Sequence, residues 1–344
     1  MSWHPDDYLE QLYTKVQPEL RFRAADLAEW GAWRERLRQR FLERLGGFPA
    51  ERAALEPRLL EERDCGDYTL QRIEITTYAG LRMPVYLLIP KHSEEQALPA
   101  VLALHGHGYG SKEIVGLSPD GEMESTEESY QKNFAVSLVR RGFLVAAPEL
   151  LGFGDRRLRQ EAKEGASHSC HSLSTYLLHM GLTMAGHRVY ETIRVLDYLL
   201  SRGDIDPGRI GCMGISGGGL TAGFAAALDD RIQASVVSGY VNTFQSSILS
   251  IHHCVDNYVP GLGAIAEMPD LIGLIAPRPL LIEAGDRDPI FPVGAVHEAY
   301  GQLTRIYRLL GAEDRLALDL FEGDHRINGA VAYDWLVQQT GKDC

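Results

Sequence analysis

Residues 209–219 read Arg-Ile-Gly-Cys-Met-Gly-Ile-Ser-Gly-Gly-Gly, and no other stretch constrains the chain so tightly. An apolar strand candidate, Ile210–Met213, runs into Gly214-x-Ser216-x-Gly218, and small residues suited to a helix follow at Leu220–Leu228. A serine at such a strand-to-helix turn is forced into a sharp, exposed conformation, and the flanking glycines remove side chains that would clash. No Lys-Ser/Thr pair follows the glycines, so a phosphate-cradling loop fits poorly. The turn requires a strand whose carboxyl end opens directly onto a helix, which is the repeating unit of a parallel sheet.

The rest of the chain repeats that unit. Ile73, Ile75 and Thr77 alternate with polar neighbours, Ala79-Gly80 turns, and Val85–Ile89 makes a second strand of an antiparallel hairpin. Apolar runs of strand length then follow at Ala100–Leu104, Phe143–Ala147, Ile210–Met213, Ala234–Ser238, Leu280–Glu283 and Leu316–Phe321. Between them lie helical patterns near Tyr130–Arg141, Tyr176–Ser201, Leu220–Leu228, Val293–Leu310 and Ala330–Gln339. The expectation is an α/β fold, with a mostly parallel sheet covered by helices on both faces and a site at the carboxyl ends of its strands. Residues 1–66 differ in kind. Leu27, Trp30, Leu37, Phe41, Leu42 and Leu45 recur mostly at three- and four-residue intervals between charges, and Gly46-Gly47 stops the helix. We expect 1–66 to be a helical N-terminal extension, 67–344 the main domain, and 240–272 a lid or pocket insertion.

Charge and cysteine usage narrow the partners. With 47 acidic against 34 basic side chains the net charge is −13, which disfavours nucleic acid and anionic membrane. No run approaches the roughly 18 uninterrupted apolar residues of a membrane span. The first residues lack the basic and apolar regions of a signal peptide. Cys65, Cys170, Cys212, Cys254 and Cys344 are scattered and never in C-x-x-C spacing, so neither a disulfide framework nor a zinc signature is expected, and a cytoplasmic location is the default. The expected partner is a small molecule. The apolar face of the N-terminal helix is expected either to pack in cis or to meet a second copy of the chain.

A serine hydroxyl is a poor nucleophile unless an oriented base takes its proton, and on an elbow of this kind the chain order is Ser, acid, His. After Ser216, the strand at Leu280–Glu283 leads into Asp286-Arg287-Asp288-Pro289, and the last strand leads into Asp324-His325. His325 is the expected base. Asp288, stiffened by the following Pro289, is preferred as the acid, with Asp286 its competitor and Asp324 third. Gly217 N–H is one expected oxyanion donor. The N–H of His107, in the Gly-rich loop leaving Ala100–Leu104, is the other. His105, Glu149, Tyr240, Phe244 and Tyr258 are candidates for the substrate pocket. An ion pair of Glu149 with Arg156 or Arg157 is the equal alternative. His105 with His107, and His252-His253-Cys254, are the metal readings; the first lacks a nearby completing ligand and the second places adjacent residues in divergent directions, so no metal is expected.

Four blocks in order now carry a resemblance: Pro99-Ala-Val-Leu-Ala-Leu-His-Gly-His-Gly, Gly-Ile-Ser-Gly-Gly from 214, Ala276-Pro-Arg-Pro-Leu-Leu followed by Gly-Asp-Arg-Asp-Pro-Ile-Phe-Pro, and Gly-Asp-His325. From about Tyr68 onward the sequence resembles the serine α/β-hydrolases of the dienelactone-hydrolase-like and acetyl-xylan-esterase-like branch. The resemblance implies an α/β-hydrolase fold with an eight-stranded sheet, a Ser/Asp/His triad and hydrolysis of carboxylic esters without a cofactor. It departs from dienelactone hydrolases by carrying Ser216 rather than cysteine, and from the acetyl-xylan-esterase branch by carrying Gly217 where glutamine is usual. The expected activity is a serine carboxylesterase for small, acetyl-type esters, with a sugar-ester deacetylase as its more specific form. A peptidase or amidase on the same triad is the alternative. A non-catalytic scaffold is less favoured because the full set of triad candidates is intact.

Overall fold

The computed structural model describes residues 3–91, 95–124 and 128–341; Cys344 lies outside them. The strands are β1 (Arg58–Asp64), β2 (Tyr68–Tyr78), β3 (Leu81–Pro90), β4 (Leu98–Leu104), β5 (Leu144–Pro148), β6 (Ile205–Ile215), β7 (Ala234–Ser238), β8 (Leu280–Gly285) and β9 (Leu316–Phe321). They form one sheet in the order β1-β2-β3-β5-β4-β6-β7-β8-β9. β1, β2, β3 and β5 pair antiparallel, and every pair from β5 through β4 to β9 is parallel.

Alternation along β4 shows how the sheet divides the core. Ala100, Leu102 and Leu104 face a core shared with the helices Leu27–Leu45, Met184–Ser201, Gly217–Leu228 and Val293–Leu309. Val101 and Ala103 face the other side, packed with the helices Phe134–Val139 and Ala332–Thr340. Both faces are dry, which is why these strands read as unbroken apolar runs. No single helix among the described residues is long and apolar enough to cross a membrane.

Two expectations change. The sheet has nine strands rather than eight, because Arg58–Asp64 adds an antiparallel edge to β2, from Arg58 opposite Glu74 to Asp64 opposite Thr69. Its sequence, Arg-Leu-Leu-Glu-Glu-Arg-Asp, has no inward-facing apolar row and is mostly exposed, as suits a charged edge strand. Residues 1–66 are therefore not a purely helical extension: their last segment belongs to the main sheet. Their long helix is also part of the main core. Asp26 caps it by accepting from Glu29 N, Gly46 ends it at φ 103°, and Leu37, Phe41 and Leu45 are buried, with Phe41 edge-on to Phe224 at 4.8 Å. The predicted helix Tyr176–Ser201 is in fact two, Cys170–His179 and Met184–Ser201, broken at Gly181 with φ +77°.

Candidate active site

The elbow follows from close backbone packing. Ser216 sits at φ 56°, ψ −123°, a strained conformation for a residue with a side chain. Its N–H donates to Ser238 O on β7 at 3.1 Å, which fixes the turn against the neighbouring strand. Gly218 is required by approach: a Cβ there would lie 2.0 Å from Leu104 O. Gly217 opens the following helix, so its N–H has no intrahelical acceptor and is free to meet an anion.

Three further strand ends converge on Ser216. From the loop after β8, Asp288 lies buried, its Oδ1 accepting from Ile290 N at 2.8 Å and Phe291 N at 3.0 Å. Its Oδ2 lies 2.7 Å from His325 Nδ1, on the loop after β9. The His325 ring is near-parallel to those of Tyr130 and Phe291, with centroids 5.7 Å from each, and its Nε2 is buried without a hydrogen-bond partner among the described groups. From the loop after β4 comes His107, whose ring lies over the elbow: a Cβ on Gly217 would be 3.5 Å from its Nδ1. Tyr130 Oη donates to His107 O, bracing that loop. Ser216, His325, His107, Tyr130, Ile290 and residues 251–254 line one pocket of about 320 Å³.

The other two aspartates have different tasks. Asp286 Oδ1 accepts from Gly323 N at 2.9 Å, tying the two loops together, and Asp324 pairs with Arg326 at 2.8 Å. Asp288 is thus the carboxylate that holds the His325 ring, and only it among the three is buried.

The five residues assigned to the substrate pocket from sequence do not line this one. His105 is fully buried, its Nδ1 against Gly106 O at 2.8 Å and its Nε2 accepting from Leu150 N at 3.1 Å. Burial pushes it down to about 3. Glu149 is equally buried and accepts from Ser111 N at 2.9 Å and Ser111 Oγ at 3.1 Å; burial, only partly offset by those donors, pushes it up to about 7. It forms no side-chain salt bridge with either arginine, since Arg156 is taken by Glu191 at 2.6 Å and Arg157 donates to Gly154 O and Ala166 O. Tyr240 is buried against Phe224 and Phe291. Phe244 and Tyr258 line a separate apolar cavity of about 520 Å³, together with Leu9, Leu12 and Tyr13 of the helix Asp6–Lys15. The segment 240–272 therefore has two faces, and it is Ile251 to Cys254 that reach the serine.

The family model for the abhydrolase family matches residues 7–305. The chain belongs to the abhydrolase family. The Bacillus subtilis strain 168 protein YtaP, named as a hydrolase, is similar: 31% identical over 287 residues, covering 80% of this chain and 89% of YtaP. Among solved structures, a Bacteroides fragilis protein named as an acetyl xylan esterase superposes with TM-score 0.79 at 18% identity, covering 93% of this chain and 83% of the other. A glucuronoyl esterase from Solibacter usitatus gives TM-score 0.68 at 15% identity, covering 95% and 99%. At such identities these two likenesses show the shared fold. In this abhydrolase chain the family match includes most of the N-terminal segment, in keeping with its place in the core.

Proposed function

We propose that the protein is a serine carboxylesterase acting on small acyl esters. The observation that carries this reading is a strained Ser216 facing the same pocket as His325, whose other ring nitrogen is held 2.7 Å from buried Asp288. Ser216 Oγ attacks the ester carbonyl while His325 Nε2 takes its proton. Asp288 holds the imidazolium, and the N–H groups of Gly217 and His107 receive the oxyanion. His325 returns the proton to the leaving alcohol, and a water activated by the same imidazole then hydrolyses the acyl-enzyme. The pocket's modest volume, about 320 Å³, and its aromatic and imidazole walls support a short acyl group. Structural neighbours named as acetyl xylan and glucuronoyl esterases support a carbohydrate on one side of the ester bond.

The test is hydrolysis of p-nitrophenyl acetate, butyrate and octanoate by the wild type and by Ser216→Ala. We expect the acetate to be preferred and the variant to lose on the order of 10⁶-fold in kcat, as other triads do. Turnover that survives the substitution would rule out this mechanism; a preference for octanoate would rule out the small acyl pocket.

A further inference from the structure

Next to the elbow, on the far side of the His107 ring, four potential metal ligands from three separate parts of the chain come together. His107 comes from the loop after β4, Cys170 opens the helix Cys170–His179, and Cys254 and Asp256 belong to the 240–272 segment. One ligand atom from each lies within 4.8 Å of all the others. We propose that His107 Nε2, Cys170 Sγ, Cys254 Sγ and the Asp256 carboxylate form a binding site for one divalent cation of the zinc class.

The donor set selects the ion. Two thiols, one imidazole and one carboxylate suit a borderline-soft metal with tetrahedral preference, and are a poor set for calcium or magnesium. Bond lengths of about 2.0–2.3 Å in a tetrahedron place ligand atoms roughly 3.3–3.8 Å apart, so closing this cage takes a contraction of about an ångström. The His107 ring is already turned for the purpose. Its Nε2 is 3.3 Å from Asp256 Oδ2 yet off hydrogen-bond geometry, so a buried nitrogen is left without a hydrogen-bond partner.

Charge and support agree with the donor set. A divalent ion with two thiolates, one carboxylate and a neutral imidazole leaves one net negative charge. Arg188, buried beside the cluster, cancels it: Nη1 is 2.7 Å from Asp256 Oδ2 and Nη2 is 3.3 Å from Cys170 Sγ. Arg188 is itself fixed by Leu151 O at 2.8 Å and by the face of Phe153, and Asp256 Oδ1 accepts from Asn257 Nδ2 at 2.7 Å. Ligands oriented by such outer partners are what durable metal sites have.

Four protein ligands leave no open position, so the ion's role is to tie parts together. It joins the wall residue Cys254 to His107, and so fixes the pocket's rim whatever the reaction run there. Binding through Nε2 also places the remaining imidazole proton on Nδ1, the nitrogen that faces Gly217.

The full chain, stripped with chelator under reducing conditions, is titrated with Co²⁺. We expect saturation near one equivalent, with intense visible d–d bands of a tetrahedral site and a near-ultraviolet thiolate-to-cobalt band. Zn²⁺ should displace the spectrum. Cys170→Ser and Cys254→Ser should each remove about half of the thiolate band, while Cys65→Ser leaves it intact. The wild-type titration alone decides the matter should a variant fold poorly. Reduced protein that gives no thiolate band with cobalt overturns the proposal, and so does a Cys170–Cys254 disulfide in the purified protein whose reduction yields no cobalt site.

Discussion

Asp288 divides its carboxylate between two tasks, with Oδ1 held by two backbone N–H groups and Oδ2 by His325 Nδ1. Asp288→Asn keeps the first task and reverses the second. The amide oxygen still accepts from Ile290 and Phe291, so its NH₂ must face His325 and force the imidazole proton onto Nε2. A ring protonated there cannot accept from Ser216. We expect kcat for p-nitrophenyl acetate to fall about 10⁴-fold with little change in melting temperature, as tautomer inversion does in other triads. A loss below tenfold would mean that this carboxylate does not orient the base. The His107 ring likewise stands between two places, with Nδ1 over Gly217 on one side and the cysteine cluster on the other.

At the scale of elements, the helix Leu27–Leu45 decides whether the N-terminal segment is an appendage. Phe41 is fully buried and meets Phe224, on the helix that begins at the elbow. Phe41→Ala should destabilise the whole protein by about 3–5 kcal/mol in urea denaturation, as large-to-small core changes do. A cost under about 1 kcal/mol would show the helix to be peripheral. The helix was legible because its apolar residues keep a 3.6 period up to Gly46-Gly47, and the central strands because a sheet buried on both faces leaves apolar runs. β1 was not, since a mostly charged, mostly exposed edge strand carries no such period. Of the site, the members on strand ends were visible: Ser216 from its glycines, Asp288 from Pro289, His325 from its place after the last strand. What gathers across the sheet was not. Asp256 gives no local sign of Arg188, 68 residues earlier, and Tyr130 gives none of its stacking on His325. His252 and His253 adjoin Cys254 in the sequence, whereas the fold takes Cys254 to Cys170 and His107.

For the molecule as a whole, two buried titratable groups pull the pH dependence of stability in opposite directions. His105 Nε2 and Glu149 Oε1 are only 3.5 Å apart, but they are not an ion pair: burial keeps the imidazole neutral above about 3 and the carboxyl neutral below about 7. For His105 the folded value is depressed, so its contribution is complete above about 6.5 and is lost as pH falls toward 3. For Glu149 the folded value is raised from 4.5 to about 7. Below 4.5 both states hold the proton; between the two values only the folded state does, so stability falls as pH rises and the loss is complete above about 7. At 1.36 kcal/mol per pKa unit that loss is on the order of 3 kcal/mol. Glu149→Gln keeps a neutral acceptor for Ser111 N and removes the titration. Measured by urea denaturation, the variant's stability relative to wild type should therefore rise by about 3 kcal/mol between pH 4.5 and pH 7.5. The rise belongs on the alkaline side, since His105 is present in both proteins and cancels in the difference. A difference that stays flat across that range would mean Glu149 is ionised in the folded protein at neutral pH, with Ser111 and Arg156 outweighing its burial.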